Sequence, residues 1–106
     1  MSVSVTSRLP QIIAGMEAKA SNAVAATAMQ IVADAKDIAP VDTGNLRSSI
    51  RQKMKGPFEA EVRVAAEYAG FVEYGTTKSP AQPYLTPAVA LNEDDFEAAI
   101  AQVVEP

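Results

Sequence analysis

The amino-acid sequence predicts an α+β fold, in which a long N-terminal helix and a C-terminal helix pack on a small antiparallel β-sheet with short connecting helices. Apolar residues recur every three or four positions towards both ends of the chain, as they do in amphipathic helices. On either side of Gly56-Pro57, apolar residues instead alternate with charged ones, which is typical of a half-buried hairpin. With 106 residues, the chain is expected to form one domain over residues 1–106.

The first predicted elements are a short strand and a long helix. Residues 1–6 alternate small polar with β-branched side chains, which favours a strand. A helix is predicted over residues 7–38, with Ser7 as N-cap, Pro10 in the first turn and Pro40 beyond its end. About 30 residues make a rod of roughly 45 Å, so this is either one long core helix or one that packs in part on a neighbouring subunit. Its apolar stripe consists of Leu9, Ile13, Met16, Ala20, Val24, Ala28, Ile31, Ala35 and Ile38.

Two short helices are predicted in the middle of the chain. Asp42 or Thr43 can cap the first, which has Leu46 and Ile50 on one face and Gly44 in its first turn. The second is predicted at residues 67–74, from an apolar face closed by a C-terminal glycine: Tyr68, Phe71, Val72 and Gly75. The β-branched and aromatic content of this segment leaves a strand as the alternative.

The hairpin between these helices is expected to turn at Gly56-Pro57. The predicted register places Met54 opposite Phe58, so that basic side chains on one strand oppose Glu59 and Glu61 on the other. A small basic cluster is expected to be the solvated face of the first strand; it contains Arg47, Arg51, Lys53 and Lys55.

The C-terminal region is predicted to be an exposed loop at residues 76–83 followed by a helix. Thr86 as N-cap and Pro87 as first helical residue are a strong start signal. The apolar stripe of this helix consists of Leu85, Val89, Phe96, Ile100 and Val103 or Val104, with Glu93, Asp94 and Asp95 on its solvated side.

The end of the loop is expected to be anchored on the core. The chain has three Phe and three Tyr and no Trp, and so small a set of aromatic residues favours the burial of each clustered one. We therefore expect Pro83, Tyr84 and Leu85 to form the anchor. Tyr84 or Leu85 is predicted to lie beside one of three aromatic residues: Tyr68, Phe71 or Phe58.

The composition excludes most catalytic chemistry. The absence of cysteine and histidine excludes disulfides, zinc sites with such ligands, cysteine nucleophiles and histidine-based triads. No carboxylates are paired by their spacing, and the five glycines are scattered singly, without a phosphate-binding loop. We therefore expect no enzymatic activity, no cofactor and no metal site.

The charge argues against a nucleic-acid binder. The net charge is −4 and the pI about 4.7, whereas proteins that hold phosphates present a basic surface. The sequence contains no run of about 18 apolar residues and no signal peptide. A soluble protein that is made in the cytoplasm and has no membrane partner is expected.

Three segments combine turn residues with apolar anchors in a fixed order. They are residues 39–50 (APVDTGNLRSSI), 68–76 (YAGFVEYGT) and 81–88 (AQPYLTPA). Together they resemble the small tail-completion (head–tail joining, or neck) proteins of long-tailed bacteriophages and prophages. The resemblance covers roughly residues 39–88, and the flanking helices only in pattern.

The resemblance implies a virion structural protein without catalytic or cofactor residues. It implies a ring, sixfold or related, that stacks between connector or stopper proteins and the tail-tube protein, with DNA passing through the lumen without specific binding. The implied location is the head–tail junction or the top of the tail, after assembly in the host cytoplasm. The residues that carry the structural or interface motif are Pro40, Asp42, Thr43, Gly44, Leu46, Arg47, Tyr68, Phe71, Val72, Glu73, Gly75, Pro83, Tyr84, Leu85 and Pro87.

An alternative function is a free-standing interaction module. In that case the long helix and the bare sheet edge would bind one partner, as in an adaptor or an inhibitor. A neighbouring portal, connector or tail-tube gene would favour the neck protein and would be absent for the adaptor.

Overall fold

Three strands and four helices make up the part of the chain that the computed structural model describes, residues 1–6, 17–40 and 44–104. In chain order they are β1 (Ser2–Thr6), α1 (Glu17–Ile38), α2 (Gly44–Ser48), β2 (Ile50–Gly56), β3 (Glu59–Val64), α3 (Ala69–Tyr74) and α4 (Leu85–Val104). The helices pack on an antiparallel sheet. The predicted α+β fold is therefore confirmed.

The sheet has the order β1-β3-β2, so β3 is its central strand. Val3 of β1 pairs with Val62, and Lys53 of β2 pairs with Glu61. The predicted hairpin register is wrong by two residues, since Met54 lies opposite Ala60 and not Phe58.

The cause of this shift is the position of the turn. The two turn residues are Pro57 and Phe58, between the paired residues Gly56 and Glu59, and a bulge interrupts the ladder at Lys55. Proline favours the first corner of a turn because its ring fixes φ near −65°. Placing Pro57 at that corner moves the whole turn by one residue and the register by two.

The inner face of the sheet and one stripe of α1 form the core. The buried residues of α1 follow the predicted stripe through Ala20, Val24, Ala28, Ile31 and Ala35. The stripe then continues at Ala39 and not at Ile38, which is 37% exposed, because a step of four stays closer to the helical period here. The predicted start of this helix, with Ser7, Leu9, Pro10, Ile13 and Met16, lies outside the described residues.

Helix α4 packs along α1, and together the two helices cover the core. Its contact residues are Leu85 and Ala88, which are fully buried, and the half-buried Val89 and Phe96. Asn92 is also buried, and its Nδ2 donates to Asp34 Oδ2 (2.8 Å) and to the carbonyl oxygen of Ala88 (2.7 Å). Within residues 17–40 and 44–104, no helix has both the length and the hydropathy that crossing a membrane requires.

Helix α2 is shorter than the sequence pattern suggests. It ends at Ser48, where the Ser49 hydroxyl donates to the carbonyl oxygen of Leu46 (2.8 Å). Ile50, expected on the same helical face as Leu46, is the first residue of β2. Both side chains are buried, so the pattern identifies core positions correctly but not the change of backbone conformation between them.

Candidate assembly site

The Glu73 side chain joins α3 to the beginning of α4. Its Oε1 accepts hydrogen bonds from the backbone N–H groups of Tyr84 (3.0 Å) and Leu85 (2.9 Å). Its Oε2 accepts one from the N–H of Thr86 (3.1 Å). The carboxylate is buried, and it connects the second motif segment directly to the third.

These three bonds satisfy the whole first turn of α4. The first four N–H groups of a helix have no partner within the helix. Here Glu73 accepts from the N–H groups of Tyr84, Leu85 and Thr86, and the next residue, Pro87, has no N–H. A carboxylate at this end is also favoured by the helix dipole.

The predicted N-cap of α4 is therefore wrong, because the Glu73 carboxylate caps this helix and the Thr86 hydroxyl does not. The helix begins at Leu85, so Thr86 lies inside it and is exposed, and Pro87 is its third residue and not its first. The Thr86 hydroxyl does not serve as N-cap because a charged acceptor from α3 already occupies that position. Charged acceptors form stronger hydrogen bonds to N–H groups than hydroxyl groups do.

The surroundings of Glu73 favour its ionised form. Burial raises the pKa of this carboxyl group, but the N–H groups of Leu85 and Tyr84, together with the hydroxyl and the N–H of Thr86, lower it below its ordinary value of 4.5. At neutral pH the side chain is a buried, fully hydrogen-bonded anion.

Tyr84 is the largest fully buried side chain of the core. Its hydroxyl lies 3.4 Å from the carbonyl oxygen of Ala69, at the first turn of α3, and 4.0 Å from Met1 Sδ. Burial, together with the negative charge of Glu73, raises the pKa of the phenol to about 12. The predicted anchoring of the loop by Tyr84 and Leu85 is thus confirmed.

Pro83, the third predicted anchor residue, and Phe71, one of the predicted partners of Tyr84, are not in the core. Pro83 is exposed, because the chain turns inward only at the next residue. Phe71 is 65% exposed, since α3 buries Ala69 and Glu73 and directs Phe71 to solvent. Of the partners proposed for Tyr84, Tyr68 is close enough to influence its pKa.

Gly75 ends α3 in a conformation that other residues rarely adopt. Its φ is +79°, and a Cβ built on it would lie 2.7 Å from the backbone nitrogen of Ala81. The loop that follows is folded back on α3, as the N–H of Gln82 donates to the carbonyl oxygen of Val72 (2.8 Å). The Thr76 hydroxyl accepts from the N–H groups of Lys78 and Ser79, which shapes the exposed tip of the loop.

Helix α3 has one buried face and one exposed face. Its buried face carries Glu73, whereas its outer face exposes Phe71 and Tyr74, the latter 74% exposed. Phe71 and Val72 border a surface groove of about 260 Å³ together with Pro40 of the first motif segment. Exposed aromatic side chains on a rigid support are typical of protein–protein contacts.

The first motif segment contributes to the same region, but the structure describes only part of it. Leu46 is fully buried and Pro40 half-buried, whereas Asp42 and Thr43 lie outside the described residues. Gly44 is the first residue of α2. Arg47, expected in the solvated basic cluster, is half-buried, and its Nε has no hydrogen-bond partner among the described residues.

The outer face of the sheet contains a second buried carboxylate. Glu61, expected on the solvated face, is only 6% exposed because Lys55 Nζ (2.7 Å) and an Arg63 guanidinium nitrogen (3.0 Å) cover it. The hydrogen bond from Lys55 is the main cause that lowers the pKa of Glu61. Spacing does not reveal this role, nor that of Glu73 or Asn92, because their partners lie on other elements.

The described residues contain no group of three or more Asp and Glu side chains placed to hold a metal ion. The site is a structural junction, in which hydrogen bonds hold α3, the loop and the start of α4 together.

A known family matches about two thirds of the chain, including α3 of this junction. The family described as "Bacteriophage HK97-gp10, putative tail-component" matches residues 5–75. The chain belongs to this family. Its match includes the first motif segment and nearly all of the second, while residues 81–88 lie beyond it. No curated protein and no solved structure matches the chain.

Family membership settles the general role of the protein. It is a structural component of a phage tail, its partners are other phage structural proteins, and it belongs to the virion.

Proposed function

We propose that this protein is a tail-completion or neck protein that joins the phage head to the tail as a homo-oligomeric ring. The DNA would pass through the lumen of the ring, with connector or stopper proteins on one side and the tail-tube protein on the other. A sixfold ring agrees with the resemblance of the three motif segments. The protein acts by shape and contact and not by catalysis.

The proposal rests on one observation, that α3 has a buried face and an exposed face with different contacts. Glu73 fixes the orientation of α4, and the same six-residue helix exposes Phe71 and Tyr74. A ring closes only when every copy presents the same contacts in the same geometry. A buried junction beside exposed aromatic side chains meets this requirement.

The net charge also agrees with a conduit for DNA. At −4 per copy, a ring of this chain is strongly acidic. An acidic lumen repels phosphates and lets DNA slide, whereas a basic one would hold it by counterion release.

The test is deletion of the gene from its phage or prophage, followed by electron microscopy of lysates. The expected result is DNA-filled heads and separate tails that fail to join, with joining restored by the wild-type gene on a plasmid. Intact infectious virions from the deletion would refute the neck function and favour the adaptor.

Plasmid variants then test the exposed aromatic pair. Changing Phe71 and Tyr74 together to alanine is expected to abolish joining without altering the thermal unfolding of the purified protein. Met29→Ala is the matched control, because Met29 is 59% exposed on α1 and away from the motif segments. Normal joining with the double variant would exclude α3 as a contact surface.

A further inference from the structure

The outer face of the sheet is an uncovered, basic surface. Side chains alternate between the two faces along a β-strand, so Ala60, Val62 and Val64 face the helices. Arg63 on the same strand, and Arg51 and Lys53 on β2, face outward. These three side chains are exposed, and in the described part of the chain no helix packs over them. On β1, the outward positions are the small Ser2 and Ser4, so the surface is open on that side.

The charges of the chain are strongly partitioned between this surface and α4. Residues 50–64 contain four basic and two acidic side chains, although the whole chain has a net charge of −4. Helix α4 contains no lysine or arginine. Its exposed acidic residues are Glu93, Asp94, Asp95 and Glu97.

The two charged surfaces do not meet within one subunit. Helix α4 packs on α1, which in turn packs on the sheet, and the four acidic side chains of α4 are exposed. The ion pairs found among the described residues join Lys55 and Arg63 to Glu61, which leaves Arg51, Lys53 and the acidic side chains of α4 unpaired there.

We propose that the outer sheet face of one copy docks on the acidic face of α4 in the next copy. This inference rests on the proposed ring and names its contact. The two surfaces differ from each other, so the contact is head-to-tail, the type that closes into rings. Opposite potentials also steer copies of an otherwise acidic chain into this orientation.

The α4 surface also offers an apolar centre for the contact. Leu91 is 63% exposed and lies one turn before Asp94 and Asp95 on the same side of the helix. The aliphatic stems of Arg51 and Lys53 can cover Leu91 while their charged ends reach the carboxylates.

A charge-swap experiment in the deletion strain tests the contact. One variant carries Arg51→Glu and Lys53→Glu, and the other carries Asp94→Lys and Asp95→Lys. Each alone places like charges at every contact, so joined particles are expected to be lost. Expressed together, the two variants can alternate around a ring with opposite charges at every contact, and joined particles are expected to return.

The matched control reverses the same number of charges elsewhere. Lys19→Glu with Lys36→Glu changes two exposed lysines of α1 and is expected to support joining as the wild type does. Circular dichroism of each purified variant shows whether it has folded, and a variant that has not folded is replaced by the milder Gln or Asn substitutions.

Cross-linking gives an independent measurement on particles. The chain has no cysteine, so a chain with Lys53→Cys and Asp95→Cys should form a ladder of disulfide-linked multimers in oxidised neck particles. Each single cysteine should give no species beyond a dimer, and Lys36→Cys with Asp95→Cys should give no ladder.

The outcomes separate this inference from the proposed function. If either charge variant joins heads to tails on its own, or if no ladder forms, the contact is wrong although the deletion phenotype stands. If the two variants fail both alone and together, the basic face binds another acidic partner, such as a neighbouring protein or the DNA, and the inference is overturned. A deletion strain that still joins particles refutes the neck function itself.

Discussion

Replacing Glu73 by alanine removes the acceptor of three N–H groups at the start of α4. The N–H groups of Tyr84 and Leu85 are buried, so both lose their acceptor when the carboxylate is removed. An unsatisfied buried donor costs about 1–3 kcal/mol, while the loss of a helix cap alone costs about 0.5–2 kcal/mol. Together these give an expected loss of about 3 kcal/mol, out of the roughly 5–15 kcal/mol that stabilises a small domain.

The assay is denaturant unfolding followed by circular dichroism, with the free energy of unfolding extrapolated to water. Glu73→Gln should lose less, about 1–2 kcal/mol, because the amide oxygen still accepts two bonds while its NH₂ group opposes the N–H of Thr86. Glu93→Gln, an exposed glutamate on α4, should change stability by less than about 0.5 kcal/mol.

The pH dependence gives a second readout of the same residue. The pKa of Glu73 is lower in the folded protein than its ordinary value of 4.5. Its ionisation therefore contributes stability above pH 4.5 that is lost as the pH falls through the folded pKa. Because the pKa of Glu61 is also lowered, the wild type alone does not isolate the effect. The stability difference between wild type and Glu73→Gln should shrink as the pH falls below 4.5.

Two results would refute this reasoning. One is a loss for Glu73→Ala no larger than that for Glu93→Gln, which would mean that water replaces the carboxylate at the helix start. The other is a difference between wild type and Glu73→Gln that does not change with pH, which would mean that the charge of Glu73 does not matter.

Three further predictions concern Gly75, Tyr84 and Asn92. Gly75→Ala should lower the melting temperature by several degrees, as strain at positive φ costs about 1–2 kcal/mol before any clash. Gly70→Ala is the control: nothing lies within 4 Å of its added Cβ, so the melting temperature should be unchanged or higher. Tyr84 should titrate near pH 12, seen by near-ultraviolet absorbance as a step that is missing from Tyr84→Phe. Unfolding should become easier as the pH rises from 10 to 12, because the raised pKa favours the neutral phenol. A Tyr84→Phe variant that keeps the step near pH 12 and instead loses absorbance change near pH 10 would contradict the burial of Tyr84. Asn92→Ala should cost about 1–2 kcal/mol in denaturant unfolding, as it removes the bond to Asp34 and leaves the half-buried carboxylate with one donor, Gln30. Asp34→Asn should cost less.

Much of the candidate site can be located from the sequence, but not its mechanism. The turn residues Pro40, Gly75 and Pro87 and the buried Tyr84 all lie in the three motif segments. The sequence pattern does not predict that Glu73 caps α4, because a glutamate in a short amphipathic helix normally faces solvent. Only the approach of the backbone at residues 84–86 makes its burial favourable.

The local pattern determined the elements of this protein. Periods of two and of three to four residues, with prolines and glycines at the boundaries, placed the strands, the helices and the core stripe of α1, because side-chain direction along a regular backbone depends only on spacing. Tertiary structure decided which face of a short helix is buried, which acceptor caps α4 and which residues oppose each other across the hairpin. Phe71 points outward, Glu73 inward and Glu61 lies beneath Lys55 and Arg63. Burial and hydrogen bonding at these positions depend on elements that are distant in sequence. The spacing of residues within one segment therefore does not predict these contacts.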